Sequence, residues 1–186
     1  MNIGFAMCGS LCTFHAVFPV MEEVAKLHTL VPILSDSSST IDSRFGPAQE
    51  HIRVITEICG QPPLRSIEQV EPIGPKKLLD ALVIAPCTGN TLAKLAHSIA
   101  DGPVTMAAKS HLRNGRPVLL AISTNDGLAG AAENIGKLLA RKNYFFVPFG
   151  QDDPIGKPTS LVADFHQLRP ALEEMLAGKQ LQPMLC

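Results

Sequence analysis

The sequence predicts a three-layer α/β fold, a doubly wound and mostly parallel sheet forming a single domain over residues 1–186. Three observations predict it. Strand-like and helix-like periodicities alternate from end to end, the pattern of strands joined by crossover helices. Right-handed crossovers then bring the loops that follow the strands to one edge of the sheet. Finally, 46% hydrophobic content in 186 residues supplies one core, since domains commonly run ~100–200 residues.

Ile3-Gly4-Phe5-Ala6-Met7 reads as the first strand, and Cys8-Gly9-Ser10 leads from it into a helical pattern. Leu11, Phe14, Phe18, Met21 and Ala25 fall on one face of that helix, which Pro19 is expected to kink. Residues 30–34 form a second strand ending at Ser35-Asp36, and the polar run Ser37–Thr40 reads as a loop. Ala48, Ile52, Ile55 and Cys59 stripe a helix that stops at Gly60. The Pro-rich segment 61–75 is weakly patterned, with a short strand expected around Ile67. A strand at 81–85 precedes a helix marked by Leu92, Leu95, Ala96 and Ile99, which Asp101-Gly102-Pro103 ends. Further elements are a helix at 104–112, a strand at 117–122, a helix at 126–142 and a strand at 144–148. A turn-rich loop starts at Gly150, and Leu161, Phe165, Leu168 and Leu172 stripe the final helix.

Lys+Arg 16 against Asp+Glu 17 gives a net charge of -1, and no basic cluster is dense enough to follow a nucleic-acid backbone. The apolar runs are short and interrupted, well below the ~20 residues of a bilayer span, and no basic-then-apolar leader precedes the first strand. A cytoplasmic protein is expected. Five cysteines without a CxxC pair fit reduced, structural thiols, and neither they nor the six scattered histidines have metal-ligand spacing. Cys87 alone sits in a turn where a helix N-terminus can lower a thiol pKa.

Chemistry concentrates in the turns. Ala85-Pro86-Cys87-Thr88-Gly89-Asn90-Thr91 carries a strand into a helix start, where unpaired N–H groups and the positive end of the dipole suit a phosphate. Capping a helix needs one polar residue, yet this turn clusters Thr88, Asn90 and Thr91. The first turn has the glycine spacing of a P-loop in Gly4 and Gly9, but Ser10 stands where that motif needs Lys, and no GxGxxG follows the strand. Gly9 permits close backbone approach, and Ser10 offers a hydroxyl or merely an N-cap. Ser123-Thr124-Asn125 repeats the theme after a later strand, with capping by Asn125 or Asp126 as the competing reading. The turns after residues 7, 34, 85 and 122 are candidates for one crevice. Arg44, just past the loop of the second strand, is the cation best placed to reach an anion there; Asp152 and Asp153 fit either proton transfer or a turn.

These motifs bear a family resemblance. Gly9-Ser10, Pro86-Cys87-Thr88-Gly89-Asn90-Thr91 with Lys94 and Asp101, and Ser123-Thr124-Asn125 resemble the flavoprotein family of homo-oligomeric FMN-binding cysteine decarboxylases, whose signature is Pro-Ala-Ser-Ala-Asn-Thr. More narrowly, Ser43–Gly46, Glu71–Lys76, Met106–Lys109, Ile122–Asp126 and Phe149–Pro154 resemble the B subunits of the dipicolinate synthases of spore-forming bacteria. The resemblance implies a homo-oligomer with a flavodoxin-like or Rossmann-like sheet and FMN at its carboxyl edge. It implies that Gly9 and Ser10 meet the phosphate with Ser35 near it, and that Pro86, Cys87, Thr88, Gly89, Asn90 and Thr91 contact the flavin or its ribityl chain, with Ser123, Thr124 and Asn125 completing the site. It also implies a partner, the A subunit, with which dihydrodipicolinate is oxidised to dipicolinate in the mother-cell cytoplasm. A nicotinamide (NAD(P)) on that partner or the flavin then takes the hydride, and Arg44, Lys76 or Lys109 holds the two carboxylates. The chain departs from the decarboxylases in having no His between Ser66 and Leu82, and Ile122–Asn125 in place of Pro-Ala-Met-Asn. A flavin-dependent decarboxylase and a non-catalytic scaffold for the A subunit remain the alternatives. The apolar end Leu181–Cys186 is expected to pack on a neighbouring copy of the chain.

Overall fold

In a computed structural model describing residues 1–186, the sheet is built around three strands that are apolar almost throughout. They are β1 (Asn2–Met7), β3 (Ala81–Cys87) and β4 (Val118–Thr124), with buried side chains along nearly their whole length. Such runs fit only a sheet covered on both faces. β2 (Thr29–Leu34) lies outside β1, and β5 (Tyr144–Phe146) pairs with the first half of β4, so the parallel strands run in the order β2-β1-β3-β4-β5. The short strands β6 (Phe149–Gly150) and β7 (Leu161–Ala163) extend the sheet antiparallel, β7 pairing with Ser123 and Thr124 at the carboxyl end of β4. The chain thus has the mostly parallel, helix-flanked sheet that its periodicities predict.

The helices α1 (Phe14–Ala25), α2 (Asp36–Thr40), α3 (Ala48–Cys59) and α4 (Ile67–Val70) precede β3; α5 (Gly89–Ala96), α6 (Pro103–Leu112), α7 (Ala132–Leu139) and α8 (Leu168–Leu176) follow it. α1 packs with α3 and α8, while α5 packs with α6 and α7. α1 is continuous through Pro19. Pro32 sits in β2, on the sheet's outer strand, where a missing N–H costs least; its carbonyl accepts from Leu64 N at 2.9 Å. Gly60 ends α3 with φ 68, a left-handed position that glycine reaches without strain.

The structure corrects several element assignments. The helix expected to reach Asp101 ends at Ala96, short of Ile99. Ser37–Thr40 belongs to helix α2: the Ser35 hydroxyl caps it by accepting from Ser38 N, and the buried Ser38 hydroxyl donates to Met7 O at 2.9 Å. Ile67 opens helix α4, because Ser66 and Gln69 form a reciprocal capping box. The helix expected at 126–142 is confined to Ala132–Leu139, since Asp126–Ala131 is taken up by turns. Leu161 lies on β7, decided by pairing with β4 and β6 rather than by local period.

Candidate functional site

Strand order reverses between β1 and β3, and in open α/β sheets the crevice outside the carboxyl ends at such a point is where ligands bind. The turns after both strands end there. Cys8 N donates to Pro86 O at 3.3 Å, fastening the first turn to β3, and the Thr91 hydroxyl donates to Cys8 Sγ at 3.2 Å. Thr88 caps α5, its hydroxyl accepting from Thr91 N at 3.3 Å. The Ser10 and Ser123 hydroxyls are 2.8 Å apart, joining the turn after β1 to the end of β4.

Two adjoining clefts result, sharing Gly9, Thr88 and Asn90. One, of about 330 Å³, is walled by Ser35, Asp36 and Ser37 at the start of α2, by Thr88–Thr91 without Gly89, and by Asp101–Thr105 at the start of α6. The other, of about 550 Å³, is walled by Ser10–Thr13, Ser43, Phe45, Gly89, Ser123–Asp126 and the ion pair of Lys157 with Asp152. Backbone N–H groups of Gly9, Asp36, Ser37, Gly89 and Asn90 find no acceptor within the chain. Such unpaired donors at one end of a sheet make an anion-binding concavity. Gly9 is needed at its centre: a Cβ there would lie 2.9 Å from Ser37 Cβ. The only cation on the wall of the smaller cleft, Lys94, is held 2.9 Å from Asp101, whose carboxyl its ammonium keeps below the usual range.

The residues named from the sequence divide into three groups. Gly9, Ser10, Ser35, Thr88, Gly89, Asn90, Thr91, Ser123, Thr124 and Asn125 line the two clefts. Pro86 and Cys87 are buried in β3 behind them. Burial and the neighbouring Cys8 push the Cys87 thiol well above its ordinary range, and burial raises Cys8 to about 11, so neither is a thiolate near neutral pH. Arg44 stacks its guanidinium over the Phe45 ring at 4.9 Å, on the rim. Lys76 and Lys109 line neither cleft. Asp153 shapes a turn, accepting from Gly156 N at 2.7 Å. Leu181–Cys186 returns to its own chain, with Phe149 N donating to Met184 O and Cys186 N to Phe149 O. The sequence pointed to the turn after residue 34 without singling out Asp36 or Ser37, the latter in what read as a loop, and it missed the wall at 102–105 beyond Asp101. Gly102 followed by Pro103 at the first helical position was the available signal for a helix N-terminus there.

Residues 1–162 match the family model described as Flavoprotein. The chain belongs to that family. Among flavoproteins it is similar to the dipicolinate synthase B subunit of Bacillus subtilis (strain 168), with 46% identity over 185 residues covering 99% of this chain and 92% of the relative. Its structure resembles the crystal structure of the B subunit of dipicolinate synthase from Bacillus halodurans C, with TM-score 0.91, 45% identity, and coverage of 100% of this chain and 95% of that one. It also shares the fold of the FMN-dependent cysteine decarboxylase SpaF, with TM-score 0.72, 20% identity and coverage of 95% and 97%. No helix of this flavoprotein is long and apolar enough to cross a membrane.

Proposed function

We propose that this chain is the B subunit of a dipicolinate synthase, which acts with an A subunit in the cytoplasm of a sporulating cell to oxidise dihydrodipicolinate to dipicolinate, and that its crevice is an FMN-type site. The observation that carries this reading is the 46% identity to a dipicolinate synthase B subunit, maintained over 99% of the chain. The crevice supports the flavin part. Its unpaired N–H groups at Gly9, Asp36 and Ser37, with the hydroxyls of Ser10 and Ser35, suit a phosphate. Thr88, Gly89, Asn90 and Thr91 suit the ribityl chain and ring edge, and the wider cleft beside Ser123–Asn125 leaves room for a flat ring. Each cleft falls within the ~300–1,000 Å³ range of small-molecule sites.

Aromatising the dihydropyridine ring removes two electrons and two protons. Bound FMN supplies a two-electron acceptor for such chemistry. This chain's residues would fix its orientation. Arg44, on the Phe45 rim and outside every ion pair of the chain, is the cation available there for a substrate carboxylate. One observation favours a second reading, in which this chain binds and orients while its partner supplies both the proton-transfer group and the hydride acceptor. No histidine lines either cleft, and Cys8, on the wall of the smaller one, is held protonated by its burial. The two readings differ in where the hydride goes. Decarboxylation is disfavoured by the same missing histidine.

The test is an FMN titration of the purified chain followed spectroscopically, then reconstitution with dihydrodipicolinate and the A subunit. Saturable flavin binding, lost in Ser10→Ala, with dipicolinate formed only when both subunits are present, is the expected outcome. A chain that ignores FMN removes the flavin site, and an A subunit equally active alone removes the joint reaction.

A further inference from the structure

A separate cleft, of about 430 Å³, lies between α5, α6 and the segment joining α7 to β5. It shares only Thr105 with the crevice walls described above. Its charge is one-sided. Lys109, Arg113, Arg141 and Lys142 line it, and no Asp or Glu does. Arg141 is fixed, its guanidinium donating to Leu95 O at 3.0 Å and Ala96 O at 2.6 Å, where it caps the end of α5. Lys109, Arg113 and Lys142 take part in none of the chain's ion pairs. Lys109 and Arg113 stand four residues apart on α6 and its C-cap, a spacing at which like charges repel. A concave site with one sign of charge focuses the field and concentrates counter-ions.

The rest of the lining describes the ligand's body. Leu95, Ile99 and Leu112 supply apolar wall, and the half-buried Tyr144 supplies a flat face whose hydroxyl has no partner within the chain. Burial raises that phenol to about 12, so it remains a donor at neutral pH. Ser98 and Asn143, both in this lining, hold positive φ of 60 and 67, a conformation that costs non-glycine residues energy.

We propose that this cleft is a binding site for a small organic dianion carrying a flat apolar body, two of its cations meeting the two negative groups while the ring lies against Leu95, Ile99 and Tyr144. The site is independent of the flavin crevice and gives Lys109 a role away from it. A dicarboxylate and an aryl phosphate share this chemistry.

The experiment uses isophthalate, phenyl phosphate and benzoate as probes of the full chain, by calorimetry and by amide shifts in isotope-labelled protein. Isophthalate or phenyl phosphate is expected to bind saturably, with shifts at Ser98–Thr105 and Asn143–Tyr144, and benzoate at least ~10-fold more weakly for want of a second charge. The tighter of the two dianions identifies the source. Lys109→Gln with Arg113→Gln should lower affinity at least ~10-fold with an unchanged circular dichroism spectrum, and Lys142→Gln alone should lower it less. Ser10→Ala should leave it unchanged. Absence of saturation, equal affinity in the charge variants, or shifts confined to Gly9–Thr13 and Thr88–Thr91 would overturn the proposal.

Discussion

The Ser10 hydroxyl lies 2.8 Å from the Ser123 hydroxyl and so ties the turn after β1 to the end of β4, across the carboxyl end of β3. Sequence places these serines 113 residues apart. Each alanine variant is expected to cost about 0.5–1.5 kcal/mol, the net worth of one such bond, and towards the low end because water reaches the cleft. The double variant should cost little more than either single one, since both remove the same bond. Urea unfolding of the four proteins checks this, and full additivity would mean that the two hydroxyls do not interact.

Gly89 occupies a place no side chain fits. A Cβ there would lie 2.6 Å from Thr124 Oγ1 and 2.9 Å from Asp126 Oδ1, two groups hydrogen-bonded to each other. The polar turn after β4 already fills the space that a methyl group would use. Gly89→Ala is expected to destabilise the chain by about 1–3 kcal/mol, as overpacking does. Adding Thr124→Ala should recover part of the loss, because one of the two clashing atoms goes with it. A Gly89→Ala protein with an unchanged urea midpoint would show that the turn yields freely.

The parallel sheet and its turns were legible because each is written locally. Apolar runs such as Leu82-Val83-Ile84 mark buried strands, and the Gly, Ser and Thr clusters at their ends mark helix starts. What was not legible depends on distant partners. The serine run of α2 has poor helix propensity, and its Ser38 hydroxyl is satisfied by Met7 O, 31 residues away. β7 is three residues long and exists because Thr124 and Ser123 pair with it. Lys109 resembled a crevice cation in sequence, but α6 carries only its first turn to the crevice and its last turn to the basic cleft.

The five thiols should separate by reactivity. Cys12 and Cys186 are exposed, whereas Cys8 and Cys87 are buried and Cys59 is half-buried, with burial raising Cys8 to about 11 and Cys59 to about 12. The thiolate is the reacting species, so native protein treated with iodoacetamide at mildly alkaline pH is expected to be modified quickly at Cys12 and Cys186 alone. Urea should then expose the other three. Peptide mass spectrometry reads the sites directly, and rapid native labelling of Cys87 would show that the helix N-terminus, rather than burial, sets its thiol.

His111 gives the fold an acid-sensitive point outside the crevice. It is buried on α6 with Nε2 3.1 Å from Pro117 O, and burial, helped by the charge of Arg116, lowers its pKa from 6.5 to about 4. The unfolded chain therefore takes up a proton at this position from about pH 6.5 downward, while the folded chain refuses it until about pH 4. Stability from this group is fully present above the higher value and is lost as the pH falls towards the lower one. The loss is on the order of 2 kcal/mol by about pH 5, where carboxylates with lowered pKa values still contribute fully. His111→Gln keeps an N–H for the Pro117 carbonyl but does not titrate, so its urea midpoint should fall less between about pH 7.5 and about pH 5 than that of the parent chain. Parallel pH profiles for the two proteins would show that His111 takes up its proton in the folded state as readily as in the unfolded one.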